Sequence, residues 1–221
     1  TTPLLIIGPK GLERVVNAMR VIAPELPFEI QFHELRENEE VIDFVPYKIE
    51  AYKVSHRVTC YGYRISIDRK GKFDAARAKE LDIPLKYWNK LQHGETITDG
   101  DITYTPDMVM GEARRGIKVN YCTDTRPVPI IADYATDCDL FICEGMYGED
   151  EKEENAKEHK HMTMMEAANL GKVANPKRMW LTHYSPSMNK PDEYIDKLKK
   201  ICPVIETARD GWSVELGYEE E

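Results

Sequence analysis

Apolar and polar positions group into short blocks along most of this chain. Leu4-Leu5-Ile6-Ile7 is a compact apolar run closed by Gly8-Pro9-Lys10-Gly11, which predicts a strand and then a turn. The spacing of Leu12, Val15, Val16, Met19 and Ile22 predicts a helix with one inward face, stopped by Pro24. A strand of four consecutive apolar residues suits the middle of a sheet, and this raises the expectation that further sequence precedes residue 1. Half-buried strands are expected at 28–32, 41–44, 49–54 and 61–67, and more deeply buried ones at 117–119, 140–144 and 179–182. Helical spacing appears at 130–136, from Thr163 to Asn175-Pro176, and over 192–201. Thr163 with Glu166 three residues on is a capping box. Strands at 204–207 and 212–216 close the series. Alternating strands and helices predict α/β or α+β layers.

One segment breaks the texture. Residues 68–115 are polar, carry Gly94, Gly100 and Gly111, and lie between two buried strands, as a protruding arm would. Arg69, Lys70, Lys72, Arg77, Lys79, Lys86 and Lys90 fall in its first part, with Tyr87 and Trp88 between the last two lysines. Basic residues interleaved with aromatics can grip a nucleic-acid backbone. The same residues fit a solvated charged helix docked by two aromatics, and on the sequence the two readings stand level. Residues 149–160 are dense in charge and read as a loop or a solvated helix.

Composition narrows the classes. With 221 residues, 42% apolar and 31% charged, the chain is long enough for one domain with an insertion. A formal charge of −9 argues against a surface coated for nucleic acid but leaves room for a local basic patch. No apolar run approaches the ~20 residues that span a bilayer, and the start shows no signal-peptide pattern. The five cysteines are scattered without a CxxC pair and read as reduced thiols of a cytoplasmic protein.

Three polar residues end strands. Asp124 follows the run through Ile117, His56 follows 49–54, and His183 follows Met179-Trp180-Leu181-Thr182. Strand ends are where α/β folds place chemistry, and one carboxylate with two imidazoles suits a divalent metal. Each also has a structural reading. A strand-end histidine can simply be hydrogen-bonded, and Asp124 before Thr125 fits an Asx turn. His33 and His93 read as surface residues.

The ordered set of motifs carries more than its parts. Gly8-Pro9-Lys10-Gly11, His56 with Tyr61-Gly62-Tyr63-Arg64, the inserted arm, and Thr123-Asp124-Thr125-Arg126 come first. Cys143-Glu144-Gly145-Met146-Tyr147, His161-Met162-Thr163 and Leu181-Thr182-His183-Tyr184-Ser185 follow. Together they resemble, over nearly the whole chain, the ribonuclease Z family of tRNA 3′-processing endonucleases in the metallo-β-lactamase superfamily. The resemblance implies a four-layer αββα sandwich with two zinc ions at one edge of the facing sheets. It makes His56 a ligand of one zinc, His183 of the other, and Asp124 the bridge. It pairs Glu144 with His161 to stabilise the transition state and protonate the leaving oxygen. The His-x-Thr pattern selects His161 over His159.

Three departures accompany it. The family's His-x-His-x-Asp-His motif is absent and belongs before Leu4, so the chain is expected to be the later part of a longer protein, with three candidate ligands for two metals. The family's His-Glu-Ala-Thr is here Cys143-Glu144-Gly145-Met146, with Cys143 expected to be a buried substitute rather than a ligand. The arm has Ile83-Pro84-Leu85-Lys86 where the family has a Gly-Pro turn.

The activity implied is a zinc-dependent endoribonuclease cutting precursor tRNA 3′ to the acceptor stem. Metal-bound hydroxide would attack phosphorus, leaving a 3′-hydroxyl and a 5′-phosphate. Arg69, Lys70, Lys72, Lys86 and Lys90 would clamp the tRNA, from the other subunit of a homodimer. Two rivals remain at this point: a small-molecule phosphodiesterase or lactonase on the same fold, and a non-catalytic half that only binds RNA.

Overall fold

A computed structural model describes residues 2–148 and 152–219. They divide into two compact units, Thr1–Ser66 with Ile117–Leu216, and Ile67–Gly116 with Gly217–Glu221.

The first unit is organised by a seven-stranded mixed sheet. Its strands are β3 (Glu39–Phe44), β4 (Tyr47–Val54), β5 (Cys60–Arg69), β8 (Arg114–Cys122), β9 (Leu140–Glu144), β10 (Met179–Thr182) and β11 (Ile205–Thr207), in the spatial order β11-β10-β9-β8-β5-β4-β3. From β8 to β11 neighbouring strands are parallel. The crossovers are α4 (Pro129–Ala135), α6 (Met164–Ala174) and α7 (Ile195–Lys199).

These helices cover one face. Tyr52, Cys122, Phe141, Cys143, Met179, Leu181 and Ile205 from the strands share a core with Ile131, Ala135, Met164, Ala167, Ala168 and Leu198. Burying each large side chain of this set contributes about 1.5–3 kcal/mol. Alternate residues of the same strands, Leu140, Ile142 and Trp180, turn to the opposite face and meet Val214 and Leu216. Thr163 caps α6 as a true capping box, with Glu166 N donating to Thr163 Oγ1 at 3.1 Å and Thr163 N to Glu166 Oε2 at 2.9 Å. Asn175, at φ 52°, ends that helix in the left-handed conformation.

Several elements differ from the sequence pattern. The opening strand β1 (Leu4–Pro9) has a neighbour on one side only, among the described residues. Among the described residues it pairs with β2 (Ile30–Leu35) in a two-stranded parallel sheet. Helix α1 (Leu12–Met19) buries no residue, and Val15, Met19 and Ile22 are exposed, since nothing among the described residues covers that stripe. The segment 212–216 is not a strand, because Val214 and Leu216 lie against the sheet face rather than along its edge. The helix expected over 192–201 divides into a 3₁₀ turn, Pro191–Tyr194, and α7. Of the charged run 149–160, Glu153–His159 is helix α5, while Glu149, Asp150 and Glu151 lie outside the described residues. All five cysteines are free thiols, and no helix is long and apolar enough to cross a membrane among the described residues.

The second unit has its own small core of Ala78, Ile83, Leu91, Tyr104 and Val109. Around it fold α2 (Ala75–Glu80), α3 (Leu85–Gln92) and the antiparallel pair β6 (Ile97–Asp99) and β7 (Ile102–Tyr104). Tyr87 and Trp88 pack against this core, and Trp88 Nε1 donates to the Ile83 carbonyl at 2.9 Å. The two aromatics therefore dock their helix.

Candidate metal centre

The ends of β4, β8, β9 and β10 are tied together by hydrogen bonds from the backbone. Arg126 N donates to the Ser55 carbonyl at 2.9 Å and Ser55 N to Thr125 Oγ1 at 3.1 Å, joining the turn after β4 to the turn after β8. Thr125 N donates to Glu144 Oε1 at 2.6 Å, adding β9, and Gly145 N to the Thr182 carbonyl at 2.9 Å, adding β10. His56, Asp124, Glu144 and His183 thus emerge along one connected rim.

Helix α5 supplies the remaining imidazole. Its C-cap, Lys160, is left-handed at φ 61°. That reversal turns the Lys160 carbonyl to accept from His56 Nδ1 at 2.9 Å and sends His161 back over the site. The His56 and His161 rings are 5.0 Å apart, and those of His161 and His183 5.4 Å. Ligand atoms of His56, Asp124 and His161 lie within 4.8 Å of one another, as do those of Glu144, His161 and His183.

Of the residues expected from sequence, His56, Asp124, His183, Glu144 and His161 are brought together. His159 is not in the inner group; it is exposed, and Glu144 pairs with His161. Glu144 is fully buried and accepts from His161 Nδ1 at 3.0 Å and Met162 N at 3.2 Å, besides Thr125 N. The hydrogen bond from Glu144 holds the His161 pKa above that of an ordinary histidine, against the opposing effect of burial. Cys143 is fully buried, with Sγ 3.9 Å from Met162 Sδ, and burial drives its thiol pKa up, so it offers no thiolate.

The donors fit a divalent ion. Ligands about 2.0–2.1 Å from a tetrahedral ion stand roughly 3.3–3.4 Å apart. His183 Nε2 and Asp124 Oδ1 are 3.6 Å apart, too long for a hydrogen bond and near that spacing. His56 has Nδ1 committed to a carbonyl, the usual way a ligating ring is oriented.

Sequence reasoning missed two arginines. Arg126 bridges the His161 carbonyl (2.5 Å) and Glu166 (3.0 Å), locking the site to the α6 cap. Its place after Asp124 was the available signal. Arg57 follows His56 directly and lines a cavity with it. The expected RNA-gripping residues sit in the other unit. Arg69 donates to the Glu219 carbonyl and stacks on Tyr218, Lys70 donates to the His93 carbonyl, and Lys86 lies 3.7 Å from Asp99. Lys72 and Lys90 are exposed.

The chain is 60% identical over 219 residues to a ribonuclease Z of Lachnospira eligens, covering 99% of this chain and 72% of that protein. It is 52% identical over 221 residues to a ribonuclease Z of Agathobacter rectalis, covering all of this chain and 73% of that one. Among solved structures it is similar to the short form of human tRNase Z, with TM-score 0.65, 19% identity, and coverage of 99% of this chain and 70% of that one. A metallo-β-lactamase fold protein of Bacillus subtilis matches with TM-score 0.60 and 18% identity, over 95% of this chain and 64% of the other. These two place the chain in the metallo-β-lactamase fold. No family model matches it.

Proposed function

The chain belongs to the ribonuclease Z family, and from that premise we propose that it is a metal-dependent endoribonuclease that cuts precursor tRNA 3′ to the acceptor stem. One observation carries the reading for this chain's own residues: His161 is shared by two groups of donors, one with His56 and Asp124 and one with Glu144 and His183, and Asp124 lies 3.6 Å from His183.

His56, Asp124 and His183 would hold the metal, zinc by their nitrogen and oxygen donors. Two bound divalent cations supply a nucleophile at neutral pH and offset the charge of the phosphate under attack. The protein's own contribution is positioning and proton transfer. Glu144 fixes the His161 ring through Nδ1, which leaves Nε2 toward the space between His56 and His183. Glu144 favours the protonated His161 ring, which would offer its proton to the departing 3′-oxygen of the tRNA. The 68–115 segment would contact the tRNA body through Arg69, Lys70, Lys72, Lys86 and Lys90, as phosphate contacts rather than base stacking.

The test compares a precursor tRNA transcript with bis-p-nitrophenyl phosphate. The metal-loaded protein should cleave the transcript at the acceptor-stem boundary. Replacing 68–115 by a short linker should raise KM for the transcript while hydrolysis of the small diester persists. Turnover of the small diester alone, with no cleavage of tRNA, would replace this reading with a small-molecule phosphodiesterase.

A further inference from the structure

The cavity over the candidate ligands, about 350 Å³, is lined by His56, Arg57, Tyr147, His159, His161 and Ser185, among others. Arg57 alone among these six carries a charge that does not depend on pH. Its Nη2 donates to the Glu158 carbonyl at 2.8 Å and lies 3.2 Å from His159 Nδ1. Glu158 belongs to the last turn of α5, where unpaired carbonyls carry partial negative charge. Nε and Nη1 have no hydrogen bond, and Arg57 no acidic partner, among the described residues. The guanidinium is thus pinned by one corner, with Nε and Nη1 unused and no carboxylate paired to it among the described residues. That charge reaches the site, since it opposes protonation of His161. In a chain of net charge −9, an unpaired arginine facing a histidine-lined cavity is a local anion site.

Resting on the reading above, we propose that Arg57 binds the phosphate adjacent to the scissile one on the RNA strand. The inner ligand atoms fall in two groups, each within 4.8 Å, and would hold the scissile group. Arg57 is exposed on the same cavity, within reach of a phosphate next to one held by the inner ligands. The free Nε and Nη1 lie on opposite edges of the guanidinium, so each can give one charge-assisted hydrogen bond to a phosphate oxygen. The α5 tether reduces the ordering needed on binding.

Arg57→Ala and Arg57→Lys are compared with the parent protein. Arg57→Ala should lower kcat/KM for precursor tRNA about tenfold to a hundredfold more than for bis-p-nitrophenyl phosphate, which has no neighbouring phosphate. Arg57→Lys should recover part of that loss. A neutral methylphosphonate placed next to the scissile linkage should slow the parent, and slow Arg57→Ala much less. Metal-free binding of an RNA spanning the cleavage site gives a readout independent of turnover. There the slope of log affinity against log salt should fall by about 0.7 in Arg57→Ala. Equal losses on both substrates would make Arg57 a tether for α5 and His161, and would overturn the proposal. An unchanged salt slope with unchanged tRNA kinetics would also overturn it. A parent protein that binds the RNA but does not cut it would remove the nuclease reading, while the binding arm still decides for or against Arg57.

Discussion

Asp124 Oδ1 and His183 Nε2 face each other at 3.6 Å, and both residues hold left-handed backbones, at φ 55° and 57°. Left-handed non-glycine residues cost on the order of 1–3 kcal/mol each at functional sites. Two such residues aimed at one space is strain kept for a purpose other than stability. Asp124→Gly should therefore keep or slightly raise the melting temperature in EDTA, since glycine accepts this φ freely. It should weaken metal binding at least about a hundredfold, the upper end of what losing an outer-shell partner costs. Metal titration with melting curves checks both halves. A variant that melts early without metal would show the carboxylate to be structural.

Glu144 and His161 make a second, separable prediction. Glu144→Gln keeps the shape but removes the charge that orients and protonates His161. Turnover should fall about a hundredfold to ten-thousandfold, the usual worth of a positioned acid, with metal content retained. His161 also lies among the candidate ligand groups. If His161→Gln strips metal, the ring is a ligand and the proton donor must be sought elsewhere.

The sequence disclosed what short-range pattern controls. β9 was legible because the continuous run Leu140-Phe141-Ile142-Cys143 feeds both faces of the sheet, and the α6 start because Thr163 and Glu166 are three apart. Strand-end placement singled out His56, Asp124 and His183 as candidates. Long-range contacts were hidden. That Trp88 packs on a local core depends on its reach to Ile83. That Arg57 is held by α5 depends on a contact about a hundred residues away along the chain. The inward face expected for α1 failed because periodicity reports amphipathicity, and burial requires a partner.

A pH prediction follows from Glu50, which Arg64 grips through Nε at 2.6 Å and Nη2 at 2.7 Å. Burial pushes the Glu50 pKa up, but Arg64, with Lys48, brings it to a net value below the ordinary range. A depressed folded-state pKa contributes stability that is present above the unfolded value of about 4.3. It is lost as pH falls through the lower folded value. Glu50→Gln should cost about 2 kcal/mol at pH 7, discounted from the buried-pair range because Arg64 is part exposed. The gap in melting temperature between parent and variant should narrow below about pH 4. A gap constant from pH 7 to 3 would mean that packing, not charge, accounts for the loss.

Gly62 offers the sharpest stability test, because its reason is steric and close to the site. A Cβ there would come 2.3 Å from Tyr52 Cζ and 2.5 Å from its hydroxyl oxygen. Tyr52 cannot yield easily. It is fully buried, stacks on Tyr134 with ring centroids 4.2 Å apart, and donates to Asn120 Oδ1 at 3.0 Å. Asn120 precedes Asp124 on β8 and its extension, so displacing Tyr52 disturbs the strand that leads to the Asp124 carboxylate. Gly62→Ala should cost about 1–3 kcal/mol by overpacking. Adding Tyr52→Phe should restore little, because the ring carbon remains in the way. Tyr52→Leu should relieve the clash, so the double variant should melt higher than the additive sum of the two single changes. Strict additivity would show that the sheet shifts to admit the methyl and that the Gly62–Tyr52 contact carries no constraint.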